Sequence, residues 1–164
     1  MWPFNRKNAE REQIMVKRAF SKYLDQSLIP VIPEDPEGPR MSKKRINFAM
    51  ILVNEDSRPE QTISEIVTLA QKHDGMVDSI TGTFITVYFG VPLAQPNQKQ
   101  LRSAFINELS EKLGPSLAVV HGECECAVGT VGNDHRMTYT AFLPEFKGKL
   151  GRLCSLEFGR TVED

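Results

Sequence analysis

Residues 46–53, with the sequence INFAMILV, constrain the fold of this chain more than any other stretch. The run is almost continuously apolar. A strand with one wet face alternates apolar and polar side chains, whereas a strand covered on both faces does not. The sequence therefore predicts a buried strand, with protein packed against each of its faces.

A helix is predicted to follow this strand. Asp56 or Ser57 is the expected N-cap, with Pro59 in the first turn and Gly75 at the C-terminal cap. Four apolar residues at helical spacing form the expected buried stripe: Ile63, Ile66, Val67 and Ala70.

The remaining segments alternate between extended and helical patterns. Strands are predicted at 76–80, 84–91, 116–121, 126–131 and 137–143, and a helix at 98–113. The last residues stay ambiguous, because Gly148 and Gly151 weaken a helix. The order β-α-β-β-α-β with extra strands predicts an α+β, ferredoxin-like sandwich with a mainly antiparallel sheet and helices on one face.

The first forty residues differ in pattern from the rest. Residues 10–25 place apolar side chains at helical spacing among Lys and Arg, and the segment PVIPEDPEGPR (30–40) contains four prolines. Such a segment is extended rather than helical. We therefore expect a short N-terminal helix and Pro-rich linker over 1–40, and a folded domain over 41–164.

Composition narrows the function classes. With 20 basic and 21 acidic residues, the net charge of −1 gives no electrostatic reason to expect a nucleic-acid partner. No run of 18 apolar residues is present, so no membrane span is predicted. Three cysteines and no apolar signal segment predict a cytoplasmic location.

Four blocks of sequence resemble the catalytic domain of class III adenylate/guanylate cyclases, collinearly over roughly residues 16–160. RINFAMILVNED is similar to the family's first strand, and KHDGMVDSITGTFITVYFGVP to its Gly-Asp-Gly-Phe hairpin and Phe-Gly-x-Pro. VVHGECECAVGTVGNDHRMTYT resembles the Gly-x-Val-Gly and Arg-Met-x-Tyr-Thr block, and GRLCSLE the following helix. The resemblance implies a dimer that converts ATP or GTP into a cyclic nucleotide and pyrophosphate.

Most of the positions that carry this chemistry in the family hold other residue types here. The two carboxylates that bind divalent cations in the family fall on Leu52 and Gly82. Neither residue can ligate a metal ion. The family's phosphate-binding turn after the first strand is also missing.

In each of two further pairs of family positions, one residue differs from the family and the other is kept. The base-selecting Lys falls on Asp78, while the second base-selecting position is Thr140, a residue that bacterial members also use. The transition-state Asn falls on Gly148, whereas the transition-state Arg is kept as Arg152. Thr140 and Arg152 are therefore the candidates for residual nucleotide binding.

These substitutions predict a catalytically inactive cyclase-like domain that acts as a dimerising interaction or regulatory module in signalling. The expected partner is a second copy or another cyclase-like or signalling protein, and no cofactor is expected. Two alternatives stay open. One is a cyclase whose Mg or Mn ligands have moved, for instance to Glu55 or Asp56, and the other is a nucleotide sensor without turnover.

The histidines and cysteines are interpreted as structural or solvated. No Ser or Cys partner pattern accompanies the histidines, and a Cys-x-Cys pair with one more cysteine falls short of a four-ligand zinc site. The residues concerned are His73, His121, His135, Cys124, Cys126 and Cys154.

Overall fold

The computed structural model describes residues 10–11, 13–15, 40–133 and 136–164. Residues 10–11 and 13–15 are helical, while the other residues of the segment predicted as a helix, nearly all of the Pro-rich linker and His135 lie outside the described residues. The elements that follow are β1 (Ser42–Val53), α1 (Pro59–Lys72), β2 (Met76–Thr81), β3 (Phe84–Phe89), α2 (Gln98–Leu113), β4 (Leu117–Asn133), β5 (Arg136–Phe142), α3 (Phe146–Ser155) and β6 (Thr161–Glu163).

The strands form one sheet in the order β2-β3-β1-β4-β5, and each neighbouring pair is antiparallel. The strand β6 runs parallel to the first part of β4. This confirms the predicted α+β architecture, with β1 in the middle of the sheet.

The predicted strands at 116–121 and 126–131 are one long strand. Between them, β4 carries Glu123 and Glu125, which looked like a polar break in the sequence. Both form ion pairs with basic residues that lie diagonally across on β1: Arg45 Nη1 is 3.2 Å from Glu123 Oε1, and Lys43 Nζ is 3.8 Å from Glu125 Oε1. The two strands therefore stay paired through a polar stretch, because diagonal neighbours on a ladder are within reach of long charged side chains.

Protein covers both faces of β1, as the apolar run predicted. Ala49 and Ile51 face the helices α1 and α2, while Phe48 and Met50 face the side on which α3 packs. The expectation that all helices lie on one face was wrong for α3. The helix α3 forms despite Gly148 and Gly151 because packing outweighs their low helix propensity. Leu153, near the end of the helix, is fully buried and anchors it to the sheet.

The helix α1 begins without the predicted side-chain cap. Its N-cap is Arg58, with φ 52°, and no side chain bonds the free N–H groups. Asp56 and Ser57 instead build the preceding turn on Asn54: Ser57 Oγ donates to the Asn54 carbonyl at 2.6 Å, and the Asp56 N–H donates to Asn54 Oδ1 at 3.0 Å. The cap prediction was therefore wrong, because both residues form hydrogen bonds within the preceding turn and do not cap the N–H groups of the helix.

Gly75 does close the end of α1, but for a different reason than predicted. The left-handed residue is Asp74, with φ 55°, and the Gly75 N–H donates to the Ala70 carbonyl at 2.8 Å. A Cβ on Gly75 would lie 2.8 Å from Val87 Cγ1, so this position needs glycine for space. The buried residues of α1 are Thr62, Ile66, Leu69 and Ala70, with Ile63 partly buried and Val67 at the edge of the stripe.

Among the helices in the described ranges, none combines the length and the apolar character that crossing a membrane requires.

Candidate functional site

The two positions at which the resemblance puts the family's metal-binding carboxylates lie close together, one on a strand and one in the turn beside it. Leu52 near the end of β1 pairs with Phe84 at the start of β3, and Gly82 lies in the turn just before Phe84. The Val53 N–H donates to the Thr83 carbonyl at 2.9 Å, which ties the turn to β1. The fold therefore brings together the two positions that the sequence alignment paired.

Neither position offers a ligand. Leu52 packs against the apolar cluster on the α3 side of the sheet, and Gly82, with φ +59°, has no atom within 4 Å of where a Cβ would stand. Glu55 and Asp56 are exposed in the turn after β1. Across residues 40–133 and 136–164, no three His, Cys, Asp or Glu side chains come together in a way that could hold a metal ion.

A cleft of about 400 Å³ opens on the face of the sheet opposite α1 and α2. Strands β2, β3 and β5 form its floor and sides, and the first residue of α3 closes one end. Four of its ten lining residues are aromatic and five carry a polar side-chain group, a mixture of apolar walls and polar groups that small-molecule sites share. The lining residues are Asp78, Ser79, Phe84, Thr86, Tyr88, Thr140, Ala141, Phe142, Leu143 and Phe146.

Asp78 and Thr140, the residues at which the family resemblance puts base selection, meet in this cleft. Thr140 Oγ1 donates to Asp78 Oδ2 at 3.0 Å. A β-bulge between Val77 and Ser79 interrupts the pairing of β2 with β3 at Asp78, so Asp78 and Ser79 both line the cleft. The bulge is what allows a carboxylate from β2 to reach the side chain of β5.

The Asp78 carboxyl is only partly satisfied. Its Oδ1 is buried and has no hydrogen-bond partner in the described structure. Burial raises the pKa of Asp78 from 3.8 to about 6, opposed by the hydrogen bond from Thr140 and by the Tyr88 hydroxyl. Burial and the neighbouring Asp78 also raise the pKa of Tyr88. Because Oδ1 is buried, a ligand with an N–H or O–H group could bond to it only if the Asp78 side chain turned toward the cleft.

Arg152 does not join this cleft. It lies near the end of α3, where Arg152 Nη1 is 2.9 Å from Asp164 Oδ1. Lys149, one turn earlier, is nearly buried and lies 3.1 Å from Asp164 Oδ2. Gly148 is exposed, and space is open where its side chain would be. Thr140 and Arg152, the two candidates from the sequence, are thus in different surroundings.

Sequence reasoning missed Lys149, Asp164 and the aromatic wall formed by Phe142 and Phe146. The three-residue spacing of Lys149 and Arg152 on a helix was the available signal for two cations on one face. No local sequence pattern indicated Asp164, because it follows β6 and contacts Lys149 and Arg152 of α3 from outside that helix.

The other candidates have structural contacts. His73 Nε2 lies 2.7 Å from Glu108 Oε2, joining the end of α1 to α2. Cys126 is buried, Cys124 is half-buried, and Cys154 is exposed and free. A hydrogen bond between the first two thiols raises the pKa of Cys124. The ring atom Nδ1 of His121 is buried, and no described residue forms a hydrogen bond with it.

Solved structures with this fold are nucleotidyl cyclase domains. The adenylyl cyclase CyaB from P. aeruginosa is 17% identical, with a TM-score of 0.59 over 76% of this chain and 78% of that one. The guanylate cyclase domain of RhGC from Catenaria anguillulae, in complex with GTP, is 10% identical, with a TM-score of 0.60 over 73% and 78%. A bacterial light-regulated adenylyl cyclase is 13% identical, with a TM-score of 0.70 over 90% of this chain and 49% of that one.

No protein-family model matches the sequence, and no curated protein matches it. The similarity to solved structures shows that the chain has the fold of the class III adenylyl/guanylyl cyclase catalytic domain. Because the sequence identities are so low, this similarity shows the fold and nothing finer. The resemblance inferred from the four sequence blocks is confirmed at the level of the domain.

Proposed function

We propose that this protein is a cyclase-like domain without cyclase activity, and that it acts by binding a second copy of itself or another cyclase-like or signalling protein. The observation that carries the proposal is the pair Leu52 and Gly82. They lie close together, Leu52 on β1 and Gly82 in the turn that leads into β3, where the resemblance puts two metal-binding carboxylates, and neither has a metal-binding side chain.

The magnitude of the loss supports inactivity. Removing one oriented electrostatic group typically costs about 3–4 kcal/mol of transition-state stabilisation. Here both carboxylates and the amide at Gly148 are absent together, and effects of groups that act as a unit add only in part. Even a partial sum leaves too little stabilisation for useful turnover. A symmetric pair could not restore the carboxylates, because both copies would lack them.

The rim of the cleft supports the interaction part of the proposal. Three large apolar side chains near it are exposed: Ile80 by 50%, Phe142 by 56% and Phe146 by 43%. Exposed apolar patches next to a concave surface are typical of protein interfaces. One solved neighbour is described as a dimeric guanylyl cyclase domain, from Blastocladiella emersonii.

A second candidate is a nucleotide sensor without turnover, and Asp78 favours it. Asp78 lines the cleft together with the rings of Phe84, Tyr88, Phe142 and Phe146, and its Oδ1 has no hydrogen-bond partner in the described structure. A heterocycle with N–H groups would stack on those rings and donate to the Asp78 carboxylate once that side chain turns into the cleft. Calorimetric titration of ATP and GTP, with Asp78→Leu as the comparison, separates a sensor from a pure interaction module.

Restoring the carboxylates tests the main proposal directly. Gly82→Asp is sterically free, and Asp tolerates the left-handed backbone at this position. We expect Leu52→Asp/Gly82→Asp to bind Mn²⁺ in calorimetric titration, while the natural sequence binds none at this site. The matched control, Leu52→Asn/Gly82→Asn, has the same shape without the charge.

The outcomes separate cleanly. Mn²⁺ binding by the carboxylate variant and not by the amide variant supports the assignment of both positions. Failure of both variants to bind, with Gly82→Asp alone also silent and folded, would show that Leu52 and Gly82 are not the metal positions. Mn²⁺ binding by the natural sequence with formation of cyclic nucleotide would overturn the proposal.

A further inference from the structure

Two cysteines are neighbours on one face of β4. Side chains of a strand repeat every two residues, so Cys124 and Cys126 both point to the side of the sheet on which α3 packs. Cys126 is 5% exposed and belongs to the apolar cluster on that side, while Cys124 is half-buried and packs against the cluster. A buried sulfur therefore lies beside one that solvent can reach.

The two thiols contact each other. The Cys124 thiol donates a hydrogen bond to the Cys126 sulfur, which lowers the pKa of Cys126 and raises the pKa of Cys124. A thiolate that accepts a hydrogen bond from a neighbouring S–H forms more readily than the thiolate of an isolated buried cysteine. The pair therefore acts as one site with two sulfurs, whereas the third cysteine, Cys154, is exposed near the end of α3.

The geometry of a strand decides how well these sulfurs can join. Alternate residues of a strand have Cα atoms about 6.6 Å apart, whereas disulfides most often span about 5.5–6 Å. A disulfide between Cys124 and Cys126 therefore requires β4 to contract locally, and strained disulfides are the readily reduced, regulatory kind. We propose that Cys124 and Cys126 form a reversible dithiol–disulfide site, which hydrogen peroxide oxidises and small thiols reduce.

The oxidation balances with hydrogen peroxide as the only oxidant. One sulfur of the pair, as a thiolate, attacks a peroxide oxygen; the O–O bond breaks, hydroxide leaves, and a sulfenic acid forms. The second sulfur then attacks the first, the S–O bond breaks, and hydroxide leaves as water with the proton of the second thiol. Two thiols and one peroxide thus become one disulfide and two water molecules.

Contraction of β4 would act on the elements that pack around the pair. Cys124 is paired with Ile46 of β1, and the apolar cluster that includes Cys126 also contains Leu153 of α3. Oxidation should therefore loosen the pairing of β4 with β1 and the packing of α3. The same cluster contains Tyr88, which lines the cleft, so a change in redox state also acts on the cleft, whether or not the chain has cyclase activity.

The test treats the full chain carrying Cys154→Ser with hydrogen peroxide, so that the pair holds the only thiols. Trypsin leaves both cysteines in one peptide, residues 113–136, which contains no Met. We expect this peptide to lose the mass of two hydrogen atoms, and dithiothreitol to restore them. The oxidised protein should melt about 3–6 °C below the reduced protein, because the strain lies in the folded state. Only the part of this shift that dithiothreitol reverses counts, since it does not reduce Met sulfoxide.

The matched controls are Cys124→Ser and Cys126→Ser, each combined with Cys154→Ser. Each keeps a single thiol, so its peptide should gain oxygen and lose no hydrogen. Should Cys126→Ser fail to fold, the peptide mass from Cys154→Ser alone still separates a disulfide from oxygen addition.

Three results would overturn the proposal. A peptide that stays reduced, gains oxygen or is joined to the peptide of another chain would mean that the pair does not form an internal disulfide. Loss of hydrogen that dithiothreitol does not restore would contradict reversibility. An internal disulfide that leaves the melting temperature unchanged would contradict the contraction of β4.

Discussion

Thr140 donates a hydrogen bond to Asp78 across 3.0 Å, although the two residues are 62 positions apart in the sequence. The family resemblance puts base selection at these two positions, and here they form a hydrogen-bonded carboxyl–hydroxyl pair in the cleft.

The first prediction concerns the stability cost of Asp78. Its pKa is raised from 3.8 to about 6, mainly by burial, so the folded state holds the proton more tightly than the unfolded state. The group therefore does not destabilise the fold below about pH 4, and its cost grows as the pH rises to about 6. Asp78→Asn should raise the free energy of unfolding at pH 7.5 by up to about 3 kcal/mol.

Urea denaturation at pH 4 and pH 7.5 checks this expectation. The gain should be present at pH 7.5 and absent at pH 4. Glu65→Gln, which removes an exposed carboxylate of α1, is the control and should show little change at either pH. A loss of stability in Asp78→Asn at pH 7.5 would contradict the burial cost assigned to Asp78.

The second prediction concerns Glu108, which joins α1 to α2. Hydrogen bonds from Lys72, His73 and Lys112 lower its pKa to about 2. A lowered pKa in the folded state gives stability that is present above pH 4.5 and is lost as the pH falls toward 2. Glu108→Gln should therefore lower the urea midpoint at pH 7, and the difference should shrink below pH 4.5.

The control for Glu108 is Glu111→Gln, on the same helix but exposed. It should leave the midpoint nearly unchanged. Equal effects of the two variants at pH 7 would mean that the cluster around Glu108 does not hold the helices together.

The third prediction concerns self-association through the cleft rim. Phe142→Glu and Phe146→Glu place a charge on exposed apolar side chains beside the cleft. Each should weaken the dimer at least 10-fold in sedimentation equilibrium, because a charge buried at an apolar contact is costly. Phe158→Glu is the control, since Phe158 is similarly exposed, by 42%, but does not line the cleft. A dimer insensitive to both rim variants would place the interface elsewhere.

The order of elements could be predicted from the sequence because it rests on local periodicity. The helix Gln98–Leu113 and the hairpin around Gly82 came from apolar spacing and turn residues alone. The family resemblance put Leu52 and Gly82 at one site, and in the fold Leu52 pairs with Phe84, two residues after Gly82.

What the sequence did not predict depends on contacts between distant segments. Arg102 lies on the buried side of α2, but a charged residue in a helix normally indicates an exposed face. Only its pairing with Glu163, 61 residues later, makes that burial possible. The position of α3 and the ion pairs of Asp164 have the same origin, because local patterns do not carry information on which face of a sheet a helix will cover.

The central claim is that this cyclase fold no longer performs the cyclase reaction, and the most direct test is an assay for product. The full chain is incubated with ATP or GTP and Mn²⁺, and cyclic nucleotide is measured. We predict no cyclic product above the level without protein. Cyclic product that disappears in the Arg152→Ala variant would contradict the claim.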